Sequence, residues 1–135
     1  MTRTGLIDHI GIGVPDLAAA KELYDELMAI VGMREWFPGT TGEFNYGPDG
    51  AVGAQLFFSQ ALEPAEYSRH RPGLQHLSFM VEGREIVDEA HRWTVDRRLE
   101  VVHAPRELPE YGDHDAAYVL DPHRIMLEVV CHDGA

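Results

Sequence analysis

A six-residue pattern occurs twice in this chain, and an internal repeat constrains architecture more than any other feature. His9-Ile10-Gly11-Ile12-Gly13-Val14 lies over His76-Leu77-Ser78-Phe79-Met80-Val81 at an offset of 67 residues. Histidine comes first in both copies, and apolar side chains take the second, fourth and sixth places. Strict alternation of this kind marks a half-buried strand. A helical pattern follows each time. In copy one, Asp16 after Pro15 suits an N-cap, Leu17, Ala20, Tyr24, Leu27, Met28 and Val31 share one face, and Gly32 suits the left-handed residue that ends a helix. In copy two, Ile86, Ala90, Trp93, Thr94 and Arg97 trace a weaker stripe ending near Leu99.

Three strand-like runs then follow in each copy. They are Met33 to Phe37, Glu43 to Tyr46 and Ala51 to Ser59 in the first, and Leu99 to His103, Ala116 to Leu120 and Ile125 to Val130 in the second. The opening strand of copy two is expected over Leu74 to Val81. The expected fold is α+β, a single domain of two βαβββ modules at about 5–60 and 73–132, with a polar, proline-bearing linker at 61–72 and a frayed tail after His132.

Strand parity places four polar side chains on the sheet face that avoids the helices. His9 and His76 alternate against Ile10, Ile12, Leu77 and Phe79, while Gln55 alternates against Ala54 and Leu56, and Glu128 against Leu127 and Val129. Overlaying Val52 to Phe57 on Ile125 to Val130 sets Gln55 on Glu128 at an offset of 73. Two imidazoles, a carboxylate and a carboxamide on one concave face could ligate a divalent ion of iron, nickel, cobalt, zinc or manganese; donor type alone does not choose among them. The plainer alternative is four polar groups that hydrate a groove.

The remaining composition mostly excludes. A formal net charge of −12 argues against nucleic acid or an anionic membrane surface as partner. Cys131 stands alone, so there is neither a disulfide framework nor a thiolate zinc site, and a reducing cytoplasm is the simplest setting. The N-terminal MTRTGLIDHIGIGV has no signal-peptide core, and no apolar run approaches the roughly eighteen residues needed to span a bilayer.

Asp8-His9-Ile10-Gly11-Ile12-Gly13-Val14-Pro15-Asp16-Leu17, Leu74-Gln75-His76-Leu77 and Tyr118-Val119-Leu120-Asp121-Pro122, followed by Met126-Leu127-Glu128-Val129, resemble the vicinal oxygen chelate superfamily over about residues 5–132. This is the glyoxalase, bleomycin-resistance and extradiol-dioxygenase family. The resemblance implies paired βαβββ modules forming a curved mixed-sheet cup, with a helix on the outer face of each module. It also implies metal ligands at His9, Gln55, His76 and Glu128, an order similar to that of methylmalonyl-CoA epimerases. Glyoxalase I enzymes use a similar set, and extradiol dioxygenases use three, here His9, His76 and Glu128. The family's Asp-Pro-Asp-Gly turn is replaced by Asp121-Pro122-His123-Arg124, and loss of the glycine predicts a different turn.

The function implied first is that of a metal-dependent lyase or isomerase acting on a small molecule with adjacent oxygens, by Lewis-acid stabilisation of an enediolate-like intermediate. Proton transfer would need a base, and the candidates are Glu128, Glu43 and His114, with His103 and Tyr111 near the same strand. His114 is expected in a loop, Tyr111-Gly112-Asp113-His114-Asp115. The substrate pocket is expected to draw on Phe57, Ser78, Met80, His103, Tyr111 and Tyr118. A second reading is an Fe(II) extradiol dioxygenase, which Tyr118, ten residues before Glu128, resembles in spacing. A third is a non-catalytic, antibiotic-sequestering protein whose aromatics, Trp36, Phe37, Phe44, Tyr46, Phe57, Trp93 and Tyr111, would stack on a cationic drug. A homodimer is expected, with the site within one chain or across two.

Overall fold

The computed structural model describes residues 4–38, 42–63, 65–111 and 114–132. The chain divides into two compact units, Met1–Pro64 and Ala65–Ala135. The first runs β1 (His9–Val14), α1 (Leu17–Val31), β2 (Met33–Arg34), β3 (Glu43–Pro48) and β4 (Gln55–Gln60). The second runs β5 (Leu77–Met80), α2 (Arg84–Asp96), β6 (Glu100–Glu107), a 3-10 turn (Pro109–Tyr111), β7 (His114–Leu120) and β8 (Met126–His132). The sheet orders are β1-β4-β3-β2 and β5-β8-β7-β6, the same topology twice. In each unit the first strand pairs in parallel with the last, and the other pairs are antiparallel. Parallel pairing requires a crossover, and the helix of each unit lies within that connection. The repeat in the sequence is therefore a repeat in structure.

The helix ends follow their capping chemistry. Asp16 is extended at φ −137°, and its side chain accepts from the Ala19 N–H at 3.1 Å. Gly32, at φ 88°, closes α1 by donating its N–H to the Met28 carbonyl. Ala20, Leu23, Tyr24, Leu27 and Met28 are buried, whereas Leu17 and Val31 at the ends of the expected stripe are half-buried. Tyr24 packs 4.5 Å from Phe58, and Phe44 stacks on Phe58 at 4.8 Å. Each such burial stabilises the fold by about 1.5–3 kcal/mol. In α2 the buried positions are Val87, Ala90 and Thr94, with Ile86, Trp93 and Arg97 on the half-buried flanks. That helix ends in a Schellman arrangement, with Leu99 N–H on the Thr94 carbonyl and Arg98 N–H on the Val95 carbonyl, both at 3.0 Å. Arg98 takes the left-handed conformation that glycine takes in α1, at φ 58°.

Several expected boundaries move, each for an identifiable reason. β2 stops at Arg34 rather than Phe37 because the Asn45 side chain, not a strand, takes the N–H groups of Trp36 and Phe37. β4 begins at Gln55 rather than Ala51, after a left-handed Gly50 and a crossing in which Gly53 lies close over the Pro48 ring. β6 continues to Glu107 instead of ending at His103; it is an edge strand, and register shifts between Val101 and His103 and between His103 and Arg106 accommodate Pro105. β5 is shorter than expected, so His76 sits immediately before it. His114 opens β7 rather than lying in a loop, and it pairs with His132. Residues 112–113 and the tail at 133–135 lie outside the described residues.

The turn lacking the family's glycine is also corrected. Arg124 adopts φ 73°, and the corresponding residue of copy one, Gly50, adopts φ 69°. Asp121 accounts for the arginine's tolerance of that conformation. It is buried, and its carboxylate accepts from the N–H groups of His123 and Ile125 at 2.8 and 2.9 Å. Two charge-assisted bonds to backbone outweigh the about 1 kcal/mol cost of one left-handed non-glycine residue. Among the described residues, no helix is long and apolar enough to cross a membrane.

Candidate functional site

In the second unit, strand register assembles a polar row. Ser78 of β5 stands opposite Glu128 of β8, Glu128 opposite Tyr118 of β7, and Tyr118 opposite His103 of β6. One residue from each of four adjacent strands therefore lies in a single line across the sheet. Glu128 is only 6% exposed. Its carboxylate accepts the Tyr118 hydroxyl, and burial with that bond pushes the phenol well above its ordinary range, so Tyr118 acts as a donor and not as a base. The His103 ring meets Tyr118 edge-on at 5.4 Å, and the His76 ring lies 5.9 Å from Tyr118. His76 Nε2 is 3.5 Å from Glu128 Oε1.

One step along, Met80, Val130, Ala116 and Arg106 form the next row, and Leu108 packs on Ala116 and Val130. Met80 is 72% exposed. Tyr111, in the 3-10 turn, is also exposed, and lies close enough to Tyr118 to oppose its ionisation. The side chain of His114 lies outside the described residues.

In the first unit, His9 of β1 is the register partner of Gln55 of β4. The next pair on that face is Gly11 with Phe57, and Phe57 pairs onward with Asn45 of β3. Phe57 meets the His9 ring edge-on at 5.4 Å and Phe37 at 5.8 Å. Glu43 shares this face but pairs with Ser59, four residues beyond Gln55 on β4. That is about 13 Å along the strand, so Glu43 does not join the His9–Gln55 pair.

Register also revises the overlay of the last strands. Ser78, opposite Glu128, is two places after His76; two places after His9 comes Gly11, opposite Phe57. Phe57, not Gln55, thus occupies in the first unit the position that Glu128 occupies in the second. Matching polar residue to polar residue hid this, because the crossings into β4 and β8 differ in length.

Three residues escaped the sequence reading. Asp8 Oδ2 lies 2.6 Å from His9 Nδ1, and Gln75 Oε1 lies 2.5 Å from His76 Nδ1. Extending the repeat one place N-terminally would have paired Asp8 with Gln75. Asn45 is 1% exposed; it accepts from Trp36 and Phe37 N–H at 3.2 and 3.1 Å and donates to the Phe37 carbonyl at 3.1 Å. Period-2 polarity placed Asn45 in a strand but gave no hint of burial. The Trp36 ring lies directly on Gly47, where any Cβ would collide with it.

The donor chemistry of the second unit fits a cation. Gln75 Oε1 lies 2.5 Å from His76 Nδ1 and can only accept, so a proton on Nδ1 would leave, in the neutral ring, a lone pair on Nε2. In that tautomer Nε2 and a buried carboxylate oxygen would face each other at 3.5 Å, a donor pair that a proton or a cation could bridge. Ligands about 2.1 Å from a tetrahedral ion stand about 3.4 Å apart, close to this separation. Neither unit by itself gathers three or more His, Cys, Asp or Glu side chains around one point, among the described residues.

Two modules of one topology, each with a histidine at the head of its first strand and each joining first strand to last in parallel, define a paired-βαβββ protein. The sequence profile of the Glyoxalase/Bleomycin resistance protein/Dioxygenase superfamily matches residues 8–118, and the chain belongs to that family. It is 31% identical over 126 residues to the uncharacterized protein YqjT of Bacillus subtilis (strain 168), covering 90% of this chain and 95% of that one. A solved structure from Bacillus halodurans superposes with a TM-score of 0.81 at 25% identity, over 95% of this chain and 96% of that one. Lactoylglutathione lyase from Agrobacterium tumefaciens shares the fold at a TM-score of 0.66 and 18% identity, over 96% of each chain.

Proposed function

We propose that this protein is a metal-dependent lyase or isomerase acting on a small substrate that carries two adjacent oxygens. The observation that supports it is the buried Glu128 carboxylate, set between the Tyr118 hydroxyl and His76 Nε2. His76 and Glu128 would hold a divalent ion, with His9 as the third donor and Gln55 as a weaker fourth. An ion held there would supply Lewis-acid stabilisation of negative charge developing on the substrate. Tyr118 orients Glu128 by donating to it, and a phenol held protonated can also donate to substrate oxygen. His103, edge-on to Tyr118 at the sheet margin, is the base candidate best placed beside that row. A homodimer in the cytoplasm, with no nucleic-acid or membrane partner, completes the proposal.

Phe57 favours a second reading. An apolar ring where the first unit would offer a carboxylate leaves two histidines and one carboxylate as the strong donors. That set suits an oxygen-dependent ring-cleaving dioxygenase.

The experiment is metal analysis of untagged protein, uptake of Fe²⁺, Ni²⁺, Co²⁺ and Zn²⁺, and the same with His76→Ala. Stoichiometric uptake by the parent, lost in the variant, is expected. Equal uptake by His76→Ala refutes the site. Loaded protein is then offered hemithioacetals of 2-oxoaldehydes, and separately catechols with oxygen uptake followed. Turnover of the second group alone replaces the lyase or isomerase reading with the dioxygenase.

A further inference from the structure

We infer that Asp8 and Gln75 are positioning residues that fix the tautomer of the two histidines, so that each presents Nε2 as a lone pair. The purpose assigned to that lone pair rests on the metal reading above, but the inference itself can be tested without metal.

Each residue immediately precedes its histidine, at the same offset as the histidines themselves. Each places a side-chain oxygen on Nδ1, Asp8 Oδ2 at 2.6 Å and Gln75 Oε1 at 2.5 Å. A carboxylate oxygen and an amide oxygen accept and cannot donate, so Nδ1–H is the donor in both pairs. A neutral imidazole without such a neighbour prefers its proton on Nε2, which would block the nitrogen that faces Glu128. The same geometric device thus appears twice, built from different chemistry: a carboxylate in the first unit and a carboxamide in the second. The difference tracks the other side of the ring. His76 already faces the Glu128 carboxylate at Nε2, whereas the ring that meets His9, in a T-shaped contact at 5.4 Å, is the apolar Phe57. Each histidine therefore has one carboxylate neighbour, on opposite nitrogens. Orientation of a ligating histidine through its second nitrogen is the general way proteins set ligand direction and donor strength.

Long-range ¹H–¹⁵N spectra of ¹⁵N-histidine protein, freed of metal and held at a pH where the rings are neutral, report which ring nitrogen bears the proton. His9→Gln and His76→Gln assign the two signals among the eight histidines. Both rings are expected as Nδ1–H in the parent. Asp8→Ala is expected to move His9 alone towards Nε2–H, and Gln75→Ala to move His76 alone. Asp8→Asn and Gln75→Glu, which keep an acceptor oxygen, are expected to retain Nδ1–H. Nε2–H rings in the parent, or spectra unchanged by the alanine variants, would overturn the inference. If the parent takes up Zn²⁺, each alanine variant is expected to bind it about 10–100-fold more weakly, and unchanged affinity would also count against positioning. A parent that binds no metal while showing Nδ1–H rings removes the metal reading and leaves the tautomer assignment standing.

Discussion

Asn45→Ala is expected to destabilise the first unit while leaving its strand order intact. The side chain is 1% exposed and makes three bonds to one backbone segment, two accepted and one donated, at 3.1–3.2 Å. Each such bond contributes about 0.5–1.5 kcal/mol net, and a stranded partner costs more if water cannot reach it. Trp36 and Phe37 are themselves 49% and 41% exposed, so water can re-solvate part of what the variant releases. The loss therefore falls in the lower half of the summed range, about 2–3 kcal/mol, or a Tm drop of about 8–10 °C for a chain of this size. The released segment also carries Phe37, which leans on Phe57, which in turn meets the His9 ring. The assay is urea unfolding followed by tryptophan emission in a Trp93→Phe background, where Trp36 is the remaining tryptophan. A red-shifted native emission together with a lower midpoint is expected. A change below about 0.5 kcal/mol, with emission unchanged, would show that Asn45 does not hold the 36–37 segment, and the account of why β2 ends at Arg34 would fail with it.

Asp115→Asn is expected to stabilise the protein at neutral pH. Burial, then the nearby Asp88, raise the Asp115 carboxyl above its ordinary range; a raised carboxyl costs stability in full above its folded value, and that cost fades as pH falls through the folded value and is gone below the unfolded one. Chemical denaturation from pH 7 down to pH 4 should show the variant's advantage shrinking, and an advantage that grows on acidification would refute the sign. Phe57→Glu places a carboxylate at the register equivalent of Glu128, and should tighten divalent-ion binding measured by calorimetry; unchanged affinity would mean that the position does not face the ion. At Arg124, φ 73° predicts the stability order glycine, arginine, valine, with Arg124→Gly gaining about 0.5 kcal/mol and Arg124→Val losing at least about 1 kcal/mol by thermal melting. Valine equal to arginine would refute a left-handed turn.

The fold was largely legible because two independent periodicities agreed. Alternation in His9–Val14 and the helical stripe from Ala20 to Met28 each had a cap or turn residue where the pattern changed, Asp16 at one end and Gly32 at the other. Boundaries failed where a side chain replaced backbone pairing, as Asn45 does for residues 36–37, or where an edge strand absorbed a proline by slipping register, as β6 does at Pro105. Neither event changes composition, so neither is visible in a window of sequence. The turn at Arg124 failed for a related reason. A missing glycine reads as a missing left-handed residue, but the buried Asp121 carboxylate supplies bonds enough to hold arginine there.

The candidate site was legible in kind but not in register. Polarity and parity put His9 and Glu128 on faces of β1 and β8, because a one-residue slip would reverse every side chain, whereas His76 falls just before β5. They are blind to a slip of two, which preserves the face and moves the residue about 7 Å along it. Gln55 was matched to Glu128 through such a slip, and only the ladders His9–Gln55 and Ser78–Glu128 expose it. The consequence is chemical. A carboxamide beside His9 and a phenyl ring at the carboxylate's position make the first unit a poorer donor set than the second, with its imidazole and buried carboxylate. On the metal reading proposed above, the stronger donors are those of the second unit, His76 and Glu128. Loss of Glu128 should then abolish binding, whereas loss of Gln55 should leave most of it, and measuring the two variants side by side shows whether the second unit's donors carry the affinity.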